Sequence, residues 1–176
     1  DEDNEIPEDA SAGTTANITA SSNDADGTTN AVTYSIVSQT CTGAFTIDTS
    51  SGDVSVASSS AIDYEAASTC AITIRATSAD GSTGDSTFVV EITDVNDIAP
   101  QYVATDANPE VSEGTTSVDT LAITDEDSIG SYTCILTGDD SALFTCIVTG
   151  SSANLAFQTG PDYEYPSDDD GDNVYH

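Results

Sequence analysis

The chain has no lysine, no tryptophan and no methionine, and its single arginine, Arg75, faces 32 acidic residues for a formal charge of −31. Any polyanionic partner is repelled at every approach, which excludes nucleic acid and disfavours anionic membrane surfaces. No apolar run approaches the roughly 18 residues of a membrane-spanning helix, and no signal peptide is visible. These two absences do not place the chain in the cytosol; it reads as a mature or excised piece. The only histidine, His176, is the final residue, so general acid–base chemistry lacks its usual carrier. A carboxylate pair such as Asp63 and Glu65 is the remaining route to glycoside hydrolysis, but without tryptophan there is little on which to stack a sugar. We expect no enzyme.

Serine, threonine, valine, isoleucine and alanine fill the space that helix formers leave, and this composition favours an all-β chain. At 176 residues the chain can hold one large domain or two of about 100 residues each. Four cysteines, Cys41, Cys70, Cys134 and Cys146, fall two to each half without the close spacing of a zinc site. Two disulfides and an oxidising, extracellular setting follow as the expectation. The Asn17-Ile18-Thr19 sequon adds a possible glycosylation site at Asn17.

Alternating residues and turn signals lay out successive strands. Glu5 to Thr19 reads as two short strands broken near Gly13, followed by a loop over 21–30 rich in Asp, Asn and Gly. Segments 31–37, 45–48 and 54–57 alternate, with a tight turn at Ser51-Gly52-Asp53. Segments 71–76 and 86–93 are longer strands joined by Ala79-Asp80-Gly81-Ser82. Seven strands in about a hundred residues is the count of a β-sandwich. Tyr34, Phe45, Ile47, Val56, Ile72 and Val89 are expected to face its core.

Past Pro100 the pattern starts again. Glu113-Gly114-Thr115 answers Glu8 with Gly13-Thr14, and Asp125-Glu126-Asp127 answers Asp24-Ala25-Asp26. Ala142-Leu143-Phe144-Thr145 answers Gly43-Ala44-Phe45-Thr46, and Asp162-Tyr163-Glu164 answers Asp63-Tyr64-Glu65. The domain boundaries read from this repeat are 1–100 and 101–176. By analogy with the first copy, the second runs only a few residues into its sixth strand. Either the parent chain continues, or another chain supplies the missing strand by β-augmentation.

Between the copies lies Asp94-Val95-Asn96-Asp97-Ile98-Ala99-Pro100. Together with Glu8, Asp24-Ala25-Asp26 and Asp63-Tyr64-Glu65, in that order and spacing, it resembles the cadherin repeat. The second copy is similar to the cadherin-like repeats of large microbial surface proteins, through Pro161-Asp162-Tyr163-Glu164 and Asp170-Gly171-Asp172-Asn173-Val174-Tyr175. The resemblance implies tandem Greek-key seven-stranded sandwiches with calcium clamped at each junction. It implies ligands Glu8, Asp63, Glu65, Asp94, Asn96 and Asp97 with the backbone carbonyls of Val95 and Ile98, and Asp125 and Asp127 from the second copy. Asp24 and Asp26 would serve the junction before the first copy, and Glu113, Asp162 and Glu164 stand where the second copy's own ligands would be. The family expects an aspartate where Ser78 stands, with Asp80 two residues later. In such a sandwich Cys41 follows the third strand and Cys70 begins the adjacent sixth, so those two are expected to pair. Cys134 and Cys146 take the places of Tyr34 and Ile47, facing inward, and form the second expected pair.

Independently of the family, carboxylates and carbonyls without nearby His or Cys are a hard-cation ligand set, and Ca²⁺ accepts six to eight oxygens in flexible geometry. Seven carboxylates on one junction repel by roughly 1 to 4 kcal/mol per close pair, and about three calcium ions bring them near neutrality. Asp24, Asp26 and the run Asp168 to Asn173 are read equally well as turn-making residues. The expected function is a calcium-rigidified extracellular rod or filament segment of a repetitive surface protein, whose partners are neighbouring repeats or copies of itself. The alternative is a calcium-dependent adhesion module that recognises a protein or glycan. The missing tryptophan argues against the Trp-anchored strand exchange of some animal cadherins.

Overall fold

Period-two alternation of small apolar and polar residues folds here into strands and almost nothing else. The computed structural model describes residues 4–24, 31–104, 106–127 and 131–176, which divide into two units, 1–96 and 97–176. The first unit carries β1 (Glu5–Pro7), β2 (Thr15–Thr19), β3 (Val32–Gln39), β4 (Phe45–Ile47), β5 (Asp53–Val56), β6 (Thr69–Ser78) and β7 (Thr83–Thr93). They form two sheets, ordered β1-β7-β6-β3 and β2-β5-β4. This is an all-β sandwich, as the strand count predicts. Among the described residues β1 pairs β7 in parallel, and the unit's other ladders are antiparallel.

The core between the sheets is built from Ile6, Ile18, Tyr34, Phe45, Val54, Val56, Ile72, Ile74, Val90 and Ile92. One inward assignment is corrected. Val89 is 49% exposed while Val90 is fully buried. In the run Phe88-Val89-Val90-Glu91-Ile92 the outward parity is set by Glu91, and Val89 shares it, because successive side chains leave opposite faces of a strand. Substituting Val90→Ala is therefore expected to cost about 2 kcal/mol, from two lost methyl groups and the cavity they leave. Val89→Ala should stay within about 0.5 kcal/mol of the parent. Urea unfolding followed by circular dichroism separates the two.

The β4–β5 turn needs a glycine. Gly52 has φ 78°, and a Cβ there would lie 2.3 Å from the Ala20 carbonyl oxygen. Asp48 braces the same turn by accepting the Ser50 and Ser51 N–H groups, each at 2.8 Å. The Cys41–Cys70 disulfide joins the end of β3 to β6 across a Cα separation of 5.5 Å, with Cys70 fully buried. Arg75 forms a bidentate pair with its cross-strand partner Asp85, both contacts at 2.8 Å. Hydrogen bonding and charge from Arg75 hold the Asp85 carboxyl below its usual range.

The second unit repeats part of this plan. Its strands are β8 (Gln101–Val103), β9 (Ser117–Thr124), β10 (Phe144–Thr149) and β11 (Ser152–Phe157), in one antiparallel sheet ordered β10-β11-β9-β8. The Cys134–Cys146 disulfide links half-buried residues at a Cα separation of 6.0 Å. Among the described residues no strand starts over 173–176, and the segment 131–137, counterpart of β3, joins no ladder. In the first unit β3 and β6 are each other's ladder partners. Their counterparts in the second unit lack that pairing, which explains why the expected start of a sixth strand does not register. Phe144, Phe157 and Tyr175 instead form an aromatic cluster with ring centroids 4.4 to 5.9 Å apart.

Candidate functional site

Glu8 follows β1 directly, and that position decides its chemistry. The chain leaves the sheet beside the end of β7, where the Glu8 N–H donates to the Thr93 carbonyl at 3.2 Å. Its side chain turns inward, only 6% exposed. One carboxylate oxygen accepts the Tyr64 N–H at 2.7 Å and the other accepts the Val95 N–H at 2.8 Å. A single carboxylate thus ties the Asp63-Tyr64-Glu65 turn to the segment after β7. Charge-assisted bonds to backbone N–H groups are about twice as strong as neutral ones, so this bracket fixes two distant segments on each other.

Around it the chain gathers more oxygen. One carboxylate oxygen from each of Glu8, Glu65 and Asp94 lies within 4.8 Å of the other two. Asp63 is exposed and spends one oxygen on its own turn, accepting the Ala66 N–H at 2.8 Å. Asn96 is exposed, and the first unit ends on it. At the opposite end of this unit, the Ser78 hydroxyl, which stands where the family expects an aspartate, donates to the Asp24 carboxylate. Asp26 lies outside the described residues. Asn17 is exposed on β2, at a register irregularity and with φ 55°.

The second unit has acidic residues of its own. Asp127 is 4% exposed; one oxygen accepts the Ile98 N–H at 2.8 Å, and the other is buried with no hydrogen-bond partner among the described residues. Asp125 accepts the Asp127 N–H at 3.2 Å and lies beside Tyr132, whose phenol is pushed up by burial and by the Asp125 charge. Asp97 is exposed at the start of the unit.

Further along, the Gly114 N–H donates to the Pro161 carbonyl at 2.8 Å, which brings Glu113 up to the second Asp-Tyr-Glu turn. Oxygens of Glu113, Asp162 and Glu164 lie within 4.8 Å of one another. Asp162 braces its turn as Asp63 does, accepting the Glu164 and Tyr165 N–H groups at 3.1 Å. The internal repeat therefore extends to the hydrogen bonds of the acidic turns.

These donors fit calcium. They are oxygens alone, some are withdrawn from water, and Asp127 keeps a buried oxygen with nothing to satisfy it, a costly arrangement unless a cation or proton is supplied. One group escaped the sequence reading, and a second was left open by it. Asp140 is 4% exposed and accepts the Asp169 and His176 N–H groups, each at 2.8 Å; nothing in an Asp-Asp pair within a polar loop announces such a clamp. Asp168, Asp170 and Asp172 also converge, one oxygen each within 4.8 Å. Their i, i+2, i+4 spacing is visible in the sequence but equally compatible with a turn. Among the described residues no helix is long and apolar enough to cross a membrane.

Comparison with known proteins gives a consistent result. The cadherin domain family matches residues 3–93. Mouse protocadherin Fat 4 is 38% identical over 131 residues, covering 70% of this chain and 2% of that protein. Chicken cadherin-1 is 34% identical over 143 residues, covering 72% of this chain and 15% of that protein. The chain thus spans a small fraction of these relatives. Among solved structures, the protocadherin gamma B7 extracellular cadherin domains 1–4 superpose with a TM-score of 0.67 at 24% identity, covering 91% of this chain and 40% of that one. The human desmocollin-1 ectodomain gives 0.66 at 18% identity, covering 91% and 33%. At these identities the structural matches establish the fold.

Proposed function

Because the chain belongs to the cadherin family, as an extracellular cadherin module, we propose that it is a calcium-rigidified structural segment of a repetitive cell-surface protein. The observation that carries this reading is the Glu8 carboxylate, which bonds both the Asp-Tyr-Glu turn and the segment after β7 and sits with Glu65 and Asp94. Residues 1–100 and 101–176 act as successive repeats. Glu8, Asp63, Glu65, Asp94, Asn96 and Asp97, with the carbonyls of Val95 and Ile98, bind about three calcium ions together with Asp125 and Asp127. Bound calcium supplies the positive charge that these carboxylates otherwise lack. The chain's own contribution is to hold the turn and the linker in place before any ion arrives. Asp24 with Asp26, and Glu113 with Asp162 and Glu164, would serve neighbouring junctions. The module has no catalytic role.

A calcium-dependent adhesion module is the second reading. It draws on the outward apolar side chains Ile135 (82% exposed) and Tyr165 (80%), which would suit contact with a second copy or a protein partner. Equilibrium dialysis against calcium in about 0.15 M NaCl, which screens diffuse counterion binding, tests the ligand assignment. The Asp94→Asn/Asp127→Asn chain should bind fewer ions than the parent. Equal binding would remove the junction from the account.

A further inference from the structure

The loop 167–173 in the second unit has an unsatisfied buried group that the junction does not use. Asp168 is only 7% exposed. Its Oδ2 accepts the N–H groups of Asp172 and Asn173, at 2.7 and 3.1 Å, while its Oδ1 is buried with no hydrogen-bond partner among the described residues. Leaving a carboxylate oxygen dry and unpaired is costly. Beside it stand Asp170 and Asp172, each with an oxygen within the same 4.8 Å. Three carboxylates at that spacing repel one another unless positive charge lies between them.

The loop is also held in this shape from outside. Asp140 accepts the N–H groups of Asp169, within the loop, and of His176, beyond it, and the Asp140 N–H donates to the His176 carbonyl at 2.9 Å. Gly171 at φ 73° and Asn173 at φ 66° turn the chain between the acids, and the Asn173 amide donates to the Tyr163 carbonyl at 3.2 Å. The fold itself therefore places the three carboxylates, through backbone N–H groups and residues outside the loop.

We propose that Asp168, Asp170 and Asp172 form a calcium site inside the second unit, separate from the carboxylates assigned to the junction. The donor set is oxygen only and half open to solvent, with Asp170 and Asp172 exposed, so water completes the shell. Calcium accepts that irregular mixture, whereas magnesium demands a tighter octahedron. Its role is to fix the loop after the second Asp-Tyr-Glu turn, and it does not depend on how the junction is loaded.

The experiment counts calcium bound by the full 176-residue chain in equilibrium dialysis at about 0.15 M NaCl, with calcium alone as the probe. The Asp170→Asn/Asp172→Asn chain, altered only at exposed positions, should lose one ion per chain and keep its circular dichroism. The Asp94→Asn/Asp127→Asn chain should lose junction ions but keep the one that Asp170→Asn/Asp172→Asn removes, so combining all four changes should lower its count by one more. If Asp170→Asn/Asp172→Asn binds as many ions as the parent, or if the four changes together bind as many as Asp94→Asn/Asp127→Asn, the loop is a turn and the proposal is overturned. Failure of the junction assignment would show instead as an unchanged count in Asp94→Asn/Asp127→Asn alone.

Discussion

Replacing Glu8 by alanine is expected to destabilise the first unit by about 3 to 5 kcal/mol in calcium, a large part of the total for a domain this size. The carboxylate accepts two backbone N–H groups, Tyr64 at 2.7 Å and Val95 at 2.8 Å, in a partly buried place. Removing it strands both donors where water reaches them poorly. Each charge-assisted bond contributes about 1.5 to 3 kcal/mol, and stranded donors add their desolvation cost. The sign of the calcium dependence is part of the prediction. Glu8 lies within 4.8 Å of Glu65 and Asp94, so in a chelator its removal also relieves like-charge repulsion. The measured loss should therefore be smaller in chelator than in calcium. Glu8→Gln, which keeps one acceptor oxygen, should fall between parent and alanine. Urea unfolding of the three chains, with and without calcium, supplies the six midpoints needed.

The second large effect belongs to the Cys41–Cys70 bridge. The residues are 29 apart in sequence, and closing a loop of that length in the unfolded chain corresponds to about 3 to 4 kcal/mol in the chain-entropy treatment. Cys70 is fully buried against the core, so a Cys41→Ala/Cys70→Ala chain also loses packing. The Cys134–Cys146 bridge closes only 12 residues between half-buried positions, and its removal should cost less, about 3 kcal/mol or below. Comparing the urea midpoints of the two double variants tests that order. A larger loss from the second pair would mean that the first bridge is strained or that packing around it relaxes freely.

Much of this was legible because the pattern is redundant. Alternation and turn residues placed all seven strands of the first unit, since small apolar residues every second position leave few other ways to bury a face. The pairing of Cys41 with Cys70 followed from which strands adjoin in a cadherin-like sandwich, that of Cys134 with Cys146 from two inward-facing places, and both bridges form. Val89 went wrong because three apolar residues in a row hide the parity, which Glu91 and Thr93 carry. The acidic turns were visible as repeated tripeptides. What a tripeptide does not reveal is the division of labour within it: Asp63 caps its own turn, while Glu65 is the member that meets Glu8 and Asp94. Asp140 and the dry oxygen of Asp168 were out of reach of pattern, because their importance comes from burial and from N–H groups far along the chain.

We propose that calcium makes two repeats mechanically one. Small-angle X-ray scattering of the intact chain addresses it directly, first in calcium at about 1 mM, in the affinity range of extracellular calcium modules, and then in excess chelator. A sharp distance distribution is expected in calcium, broadening reversibly in chelator, with each unit keeping its circular dichroism. Scattering profiles that superpose in the two conditions would contradict it.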